Sequence, residues 1–248
     1  MIHNPIHKVL STFQNSNARF LLMGGQACIL YGAAEFSRDT DLVVLATEEN
    51  LSDIRAALSQ LKAKQVFLPP LQTCFLERGH ACHFQSQHPD CRGSRVDMMS
   101  RMRGCASFEI LWERKTMLSL PHLEQLPVLS LPDLVLAKKS QRDKDWPIVR
   151  RLIEIDFMER RNHPPPQAVQ WWLAESRTPS HLKWLGERYP EQAQQVPSRP
   201  WLKQALDRGE HALRHALELE EARIREEDRA YWIPLKAELE AMRHGQQL

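Results

Sequence analysis

The sequence predicts an α/β (α+β) fold, with a mixed-sheet domain over residues 1–160 followed by a helical carboxyl-terminal region over 161–248. Three observations carry this. Strand-length apolar runs alternate with amphipathic helical patterns through the first two-thirds of the chain. Beyond the triple proline at 164–166 the pattern is almost entirely helical. At 248 residues with 42% hydrophobic content the chain can bury a sizeable core, as one large domain or two modest ones.

Taken in order, "ARFLLM" (18–23) reads as a strand, "QACILYGAA" (26–34) as a helix, "TDLVVLA" (40–46) as a second strand and "NLSDIRAALSQLKA" (50–63) as an amphipathic helix. "VFLPP", "TCFLERG" and "HACHFQS", between 66 and 86, are strand candidates separated by turns, and "RVDMMS" (95–100) is another. Over 130–160 the periodicity turns helical, with Pro132 at an initiating position and Pro147 opening a second helix. "QAVQWWLAES", "SHLKWLGERY" and a long final pattern running to 243, interrupted at Pro234, complete the chain. Trp171, Trp172, Trp184 and Trp201 fall at helical spacing there, which favours a core role over base stacking.

A formal net charge of +2 is too small for a general nucleic-acid coat protein, so any phosphate affinity must come from local patches. Beyond residue 160 basic and acidic residues balance, as in a salt-bridge-laced helical surface. Five cysteines, an odd number confined to residues 28–105, suit a reducing compartment without disulfides. The amino terminus lacks a leader pattern and no apolar run is long enough to cross a bilayer, so the expectation is a soluble, cytoplasmic protein with no membrane partner.

The informative stretch is "MGGQACILYGAAEFSRDTDLVV" (23–44). A strand ending in Gly24-Gly25 lets the backbone approach a ligand closely, and the helix behind it offers amide N–H groups to phosphate. Asp39 and Asp41, two residues apart on a strand, project to one face and can converge on a hard divalent cation. If the intervening helix folds the chain back, the glycine end and the carboxylate end become neighbours, and one nucleoside triphosphate with its metal can bridge them.

This stretch resembles the signature of the nucleotidyltransferase superfamily with the DNA-polymerase-β-like fold, in which an apolar residue and Gly-Gly precede Asp-x-Asp. Thirteen residues separate Gly25 from Asp39, at the upper limit of the family's spacing, and Thr40 stands where an apolar residue is usual. The resemblance, over roughly residues 15–160, implies a third carboxylate on a later strand. Asp97 in "SRVDMMSRMRG" fits, because it alternates with Val96 and Met98. It further implies two magnesium ions, with manganese as a substitute, on Asp39, Asp41 and Asp97. An acceptor hydroxyl would attack the nucleotide's α-phosphorus and pyrophosphate would leave. Ser37, just ahead of the carboxylates, joins Gly24 and Gly25 as an implied nucleotide contact.

"LPDLVLAKKSQRDKDWPIVRRL" is similar to a later segment in stand-alone bacterial members related to AbiE-type toxins, where a lysine and a basic-Asp pair complete the site. The lysine is Lys138 or Lys139, which the pattern does not separate, and the acid is Asp145. Six basic residues stand against two acidic ones between 138 and 151, and Lys138, Lys139 and Arg142 lean toward phosphate. Arg150 and Arg151 fit a solvated helix face. The implied activity is transfer of a nucleoside monophosphate from an NTP to a hydroxyl or phosphate acceptor. RNA, including the tRNA end, leads as acceptor, ahead of a protein side chain or small molecule, and an antitoxin partner belongs to the same resemblance.

Two other classes stay open: a nucleotide- or RNA-binding regulator that keeps the fold without turnover, and a helical interaction protein on an inert scaffold. Cys74, His80, Cys82, His83, His88 and Cys91 supply ligand types for zinc, but without knuckle spacing, and strand alternation sends Cys82 and His83 to opposite faces. Neither a G-x-S-x-G elbow nor a Walker loop is present.

Overall fold

In the computed structural model, which describes residues 4–121 and 123–245, the chain forms two units. One comprises the chain up to Ala137 together with the stretch from Ala230 onward, and the other is Lys138–Arg229. The first contains α1 (Asn4–Asn15), β1 (Phe20–Met23), α2 (Gly24–Leu30), β2 (Asp39–Val44), α3 (Glu48–Gln60), β3 (Lys64–Phe67), α4 (Thr73–Arg78), β4 (Cys82–Gln85), β5 (Arg95–Met99), α5 (Phe108–Glu113), β6 (Thr116–Leu120), β7 (Leu123–Val128) and α6 (Leu131–Lys138), whose last residue opens the second unit.

Seven strands make one mixed sheet in the order β3-β4-β5-β2-β1-β7-β6. β2 runs parallel to β5 and β1 to β7, while the other neighbours are antiparallel. The central strands are buried through most of their length: Phe20, Leu21 and Leu22 on β1 and Leu42, Val43 and Val44 on β2 are at most 1% exposed. That is why both read as near-continuous apolar runs. Phe13 of α1 meets Phe20 edge-on at 5.8 Å. Thr47 caps α3 by accepting from the Asn50 N–H, and the buried Asn50 side chain accepts from Arg19 N–H and donates to the Arg19 and Leu45 carbonyls. One polar residue thus ties the start of β1 to the end of β2.

The α/β class and the helical region that follows agree with the sequence-based expectation. Differences are local. "TCFLERG" forms α4 rather than a strand, closed by Gly79 at φ +104°, a conformation only glycine adopts without strain. The β6–β7 hairpin and α5 were not anticipated. The hairpin joins the sheet through Leu22 opposite Val128, a pairing of residues more than a hundred apart that local periodicity does not reveal.

The second unit holds α7 (Trp146–Arg160), α8 (Pro166–Glu175), α9 (Pro179–Arg188), α10 (Pro190–Gln194), α11 (Leu202–Arg208) and α12 (Glu210–Arg243) as far as Arg229. It includes α7, which packs on the helices after it. The Phe157 ring stacks on His181 at 4.2 Å and meets Trp172 and Trp184 edge-on, each at 5.2 Å. Trp172 is fully buried and donates from Nε1 to Asp156 at 2.7 Å. Buried Arg199 and Arg177 both donate to Glu220. α12 continues through Pro234 where an interruption was expected. Within the first unit, Leu235 is buried and Glu238 pairs with Arg78 and His80, so tertiary contacts hold the turns after the proline in place.

Candidate active site

The candidate residues fall into two groups, one in each unit. In the first unit, β1 delivers the chain directly to Asp41, since Met23 is its partner across the β1–β2 ladder. Gly24 then turns at φ +66°. A Cβ on Gly24 would lie 1.8 Å from Asp41 Oδ2, and one on Gly25 would lie 2.4 Å from Ser37 Oγ. Both glycines are therefore required by the close approach of these side chains. The Gly25 N–H donates to Asp41 Oδ2 in a long hydrogen bond of 3.4 Å. Ser37 is fixed from two sides: its hydroxyl donates to the Asp39 carbonyl at 3.4 Å and its carbonyl accepts from Gln26 at 2.9 Å.

The parallel β2–β5 register sets Asp39 opposite Arg95 and Asp41 opposite Asp97, and on the antiparallel side of β5 His83 stands opposite Asp97 and Gln85 opposite Arg95. Asp39, Asp41 and Asp97 therefore share one face of the sheet, the partly exposed one, while Thr40, Leu42, Val96 and Met98 line the buried face. The Asp97 carboxylate is engaged by its neighbours. His83 Nδ1 donates to it at 2.8 Å, and Arg95 reaches its two oxygens at 3.1 and 3.0 Å. Arg95 Nε is buried without a partner.

Among the described residues, no three His, Cys, Asp or Glu side chains converge closely enough to enclose a metal ion. The zinc candidates disperse instead. Cys82 lies in the core with its thiol pushed up to about 12 by burial, Cys91 meets Ser86, His80 pairs with Glu238 and His83 faces Asp97.

In the second unit, Lys138 and Lys139 diverge. Lys138 lies 3.4 Å from Asp145, which also accepts from Ser140 at 2.6 Å and from Arg142 Nε at 2.8 Å. Burial alone would raise the Asp145 pKa, but Lys138, Ser140 and Arg142 together hold it below the ordinary carboxylate range. Lys139 pairs with Glu175 in the unit's interior, where burial lowers its pKa against the pull of Glu175. Arg150 and Arg151 are exposed.

Sequence reasoning weighed His83 only as a zinc ligand and did not single out Arg95, so neither was read as a partner of Asp97. The available signal was alternation: His83 opposes Cys82 in orientation, and Arg95 precedes Asp97 by two positions on one strand.

No protein-family profile matches this chain, and no curated protein does. Among solved structures it is similar to JHP933 from Helicobacter pylori, at 11% identity with 94% of each chain covered and a TM-score of 0.41. The antibiotic-resistance factor ANT(2'')-Ia is 11% identical over 89% of this chain and 92% of its own, at a TM-score of 0.38. A proposed nucleotidyltransferase from H. pylori is 10% identical over 89% and 93%, at 0.41. With likenesses this distant, the functional reading rests on this chain's own residues.

Proposed function

We propose that the protein is a metal-dependent nucleotidyltransferase that moves a nucleoside monophosphate from an NTP to an acceptor hydroxyl or phosphate, in a cytoplasmic setting, with RNA as the first acceptor class to test. The observation that carries this reading is the Gly24–Asp41 contact, in which the glycine turn leaves the space a Cβ would fill to a carboxylate oxygen. Among the described residues no helix is long and apolar enough to cross a membrane.

The donor set fits a hard divalent cation. Magnesium takes one or two protein carboxylates and completes its shell with water and substrate phosphate, so an all-protein cage is unnecessary. Asp39 and Asp41 would hold the ions, with Asp97 as the third carboxylate of the same face. Ions bound there would neutralise triphosphate charge and acidify the attacking hydroxyl. Gly24 makes room for the Asp41 carboxylate and Gly25 for the Ser37 side chain, whose hydroxyl is offered beside it. Within the second unit taken by itself, Lys138 and Arg142, oriented by Asp145, are proposed as phosphate-binding cations, whereas Lys139 is engaged by Glu175.

A regulator without turnover is favoured by one observation, the engagement of Asp97 by Arg95 and His83. The two readings separate by pyrophosphate release from the four NTPs with magnesium and pooled RNA. The transferase releases pyrophosphate, and Asp41→Asn lowers the rate at least about 100-fold, as loss of a group stabilising transition-state charge does. Release by Asp41→Asn at the wild-type rate would remove the site from consideration.

A further inference from the structure

The open face of the sheet does not end at the carboxylates. Its ladders continue outward in two rows, one of Asp41, Asp97, His83 and Phe67, the other of Asp39, Arg95, Gln85 and Lys64. Lys64 and Phe67 are three apart, and in a regular strand they would point to opposite faces. The register shift in β3 between Gln65 and Phe67 brings both to this one. The face is thus polarised, with carboxylates at the β2 end and an aromatic-cationic strip at the β3 edge.

Phe67 is 53% exposed, yet it is held in place. The Arg95 guanidinium lies over its ring at 5.5 Å and His83 meets it edge-on at 5.7 Å. Neither β3 nor β4 carries an acidic residue, and every residue of β3 is exposed. An ordered, water-facing ring flanked by a lysine, an arginine and an imidazole suits a polyanion with free planar rings. A duplex, whose bases are already stacked inside, cannot use the ring. Three strand spacings separate β2 from β3, so the ring lies roughly 14 Å from Asp41 along the sheet.

We infer that this strip, Phe67 with Lys64, His83 and Arg95, is where a single-stranded nucleic-acid acceptor docks, a base stacking on Phe67 and backbone phosphates meeting Lys64 and Arg95. The inference rests on the transferase reading, because it names the class of acceptor.

The test is fluorescence anisotropy of a short labelled single-stranded RNA in EDTA without nucleotide, so that the metal site takes no part. Wild type binds it more tightly than the corresponding duplex. Phe67→Ala, whose fold is checked by circular dichroism, weakens binding by roughly 5- to 100-fold. Lys64→Ala, at an exposed position, reduces the slope of log affinity against log salt by about 0.7. No binding by wild type, or equal affinity for Phe67→Ala, overturns the inference. So does a Phe67→Ala protein that keeps RNA affinity but loses magnesium-dependent NTP stabilisation, which would give the ring to the donor's base. Failure of the transferase reading itself is read separately, as absence of NTP stabilisation in wild type whatever the RNA result.

Discussion

Replacing Gly24 with alanine tests the contact on which the site is built. Two effects add. A non-glycine residue at φ +66° costs about 1–2 kcal/mol in backbone strain. The new methyl would also stand 1.8 Å from Asp41 Oδ2, 2.4 Å from its Cγ and 2.6 Å from its Cβ. Rotating the carboxylate away relieves only the first two, so overpacking adds about 1–3 kcal/mol. The sum of roughly 2–5 kcal/mol lowers Tm by roughly 5–20 °C for a chain of this size. Gly93→Ala is the control: at φ +84° with nothing near its Cβ position, it incurs the backbone part alone, about 1–2 kcal/mol. In an Asp41→Gly background Gly24→Ala should likewise show only that part, because all three nearest atoms belong to the Asp41 side chain. Thermal denaturation of the four proteins of this cycle beside Gly93→Ala is the assay. A Gly24→Ala protein no less stable than Gly93→Ala, or a cycle without coupling, would refute the claim that Gly24 is glycine to make room for Asp41.

In the second unit, burial raises the Glu220 pKa but Arg199 and Arg177 outweigh it and hold it below the ordinary carboxylate range. A depressed folded-state pKa stabilises above the unfolded value of about 4.3 and loses that contribution as pH falls through the folded one. Glu220→Gln, which leaves two buried guanidinium groups without their carboxylate, should cost about 3–5 kcal/mol at pH 7, with the gap from wild type in urea denaturation closing below about pH 4. A gap independent of pH would show that charge is not its source. Cysteine labelling offers a simpler check: exposed Cys74 should react with a maleimide within minutes, whereas core Cys82, its thiol pushed up to about 12, should react only on unfolding. Early modification of Cys82 would contradict its burial.

How far the sequence was legible follows from where each signal lies along the chain. β1, β2 and β5 could be read because their apolar density or alternation is local, and Asp97 could be placed on the open face from Val96 and Met98 alone. The Gly24–Asp41 contact was anticipated as a neighbourhood, since the residues between return the chain to its start. α4 was misread because six residues around Phe75 and Leu76 are too few for periodicity to separate helix from strand, and the stop at Gly79 was the better cue. The partners of Asp97 were hidden for another reason: His83 reaches it through strand register, and a β-bulge decides that Phe67 joins them. Lys138, the last residue of α6, and Lys139, just past its end, point to Asp145 and Glu175 respectively, a divergence that basic residue type alone does not reveal.

The central claim, that Asp39 and Asp41 hold a nucleotide through divalent metal, is tested most directly without any acceptor. Thermal unfolding of wild type and the Asp39→Asn/Asp41→Asn variant is followed with each of the four NTPs, with and without magnesium. A nucleotide at about 100 times its Kd stabilises by roughly 2.7 kcal/mol, or roughly 5–10 °C here. A magnesium-dependent rise of that size is expected in wild type and is lost in the double variant. A rise of equal size in both proteins, or none with any NTP in wild type, would contradict the claim.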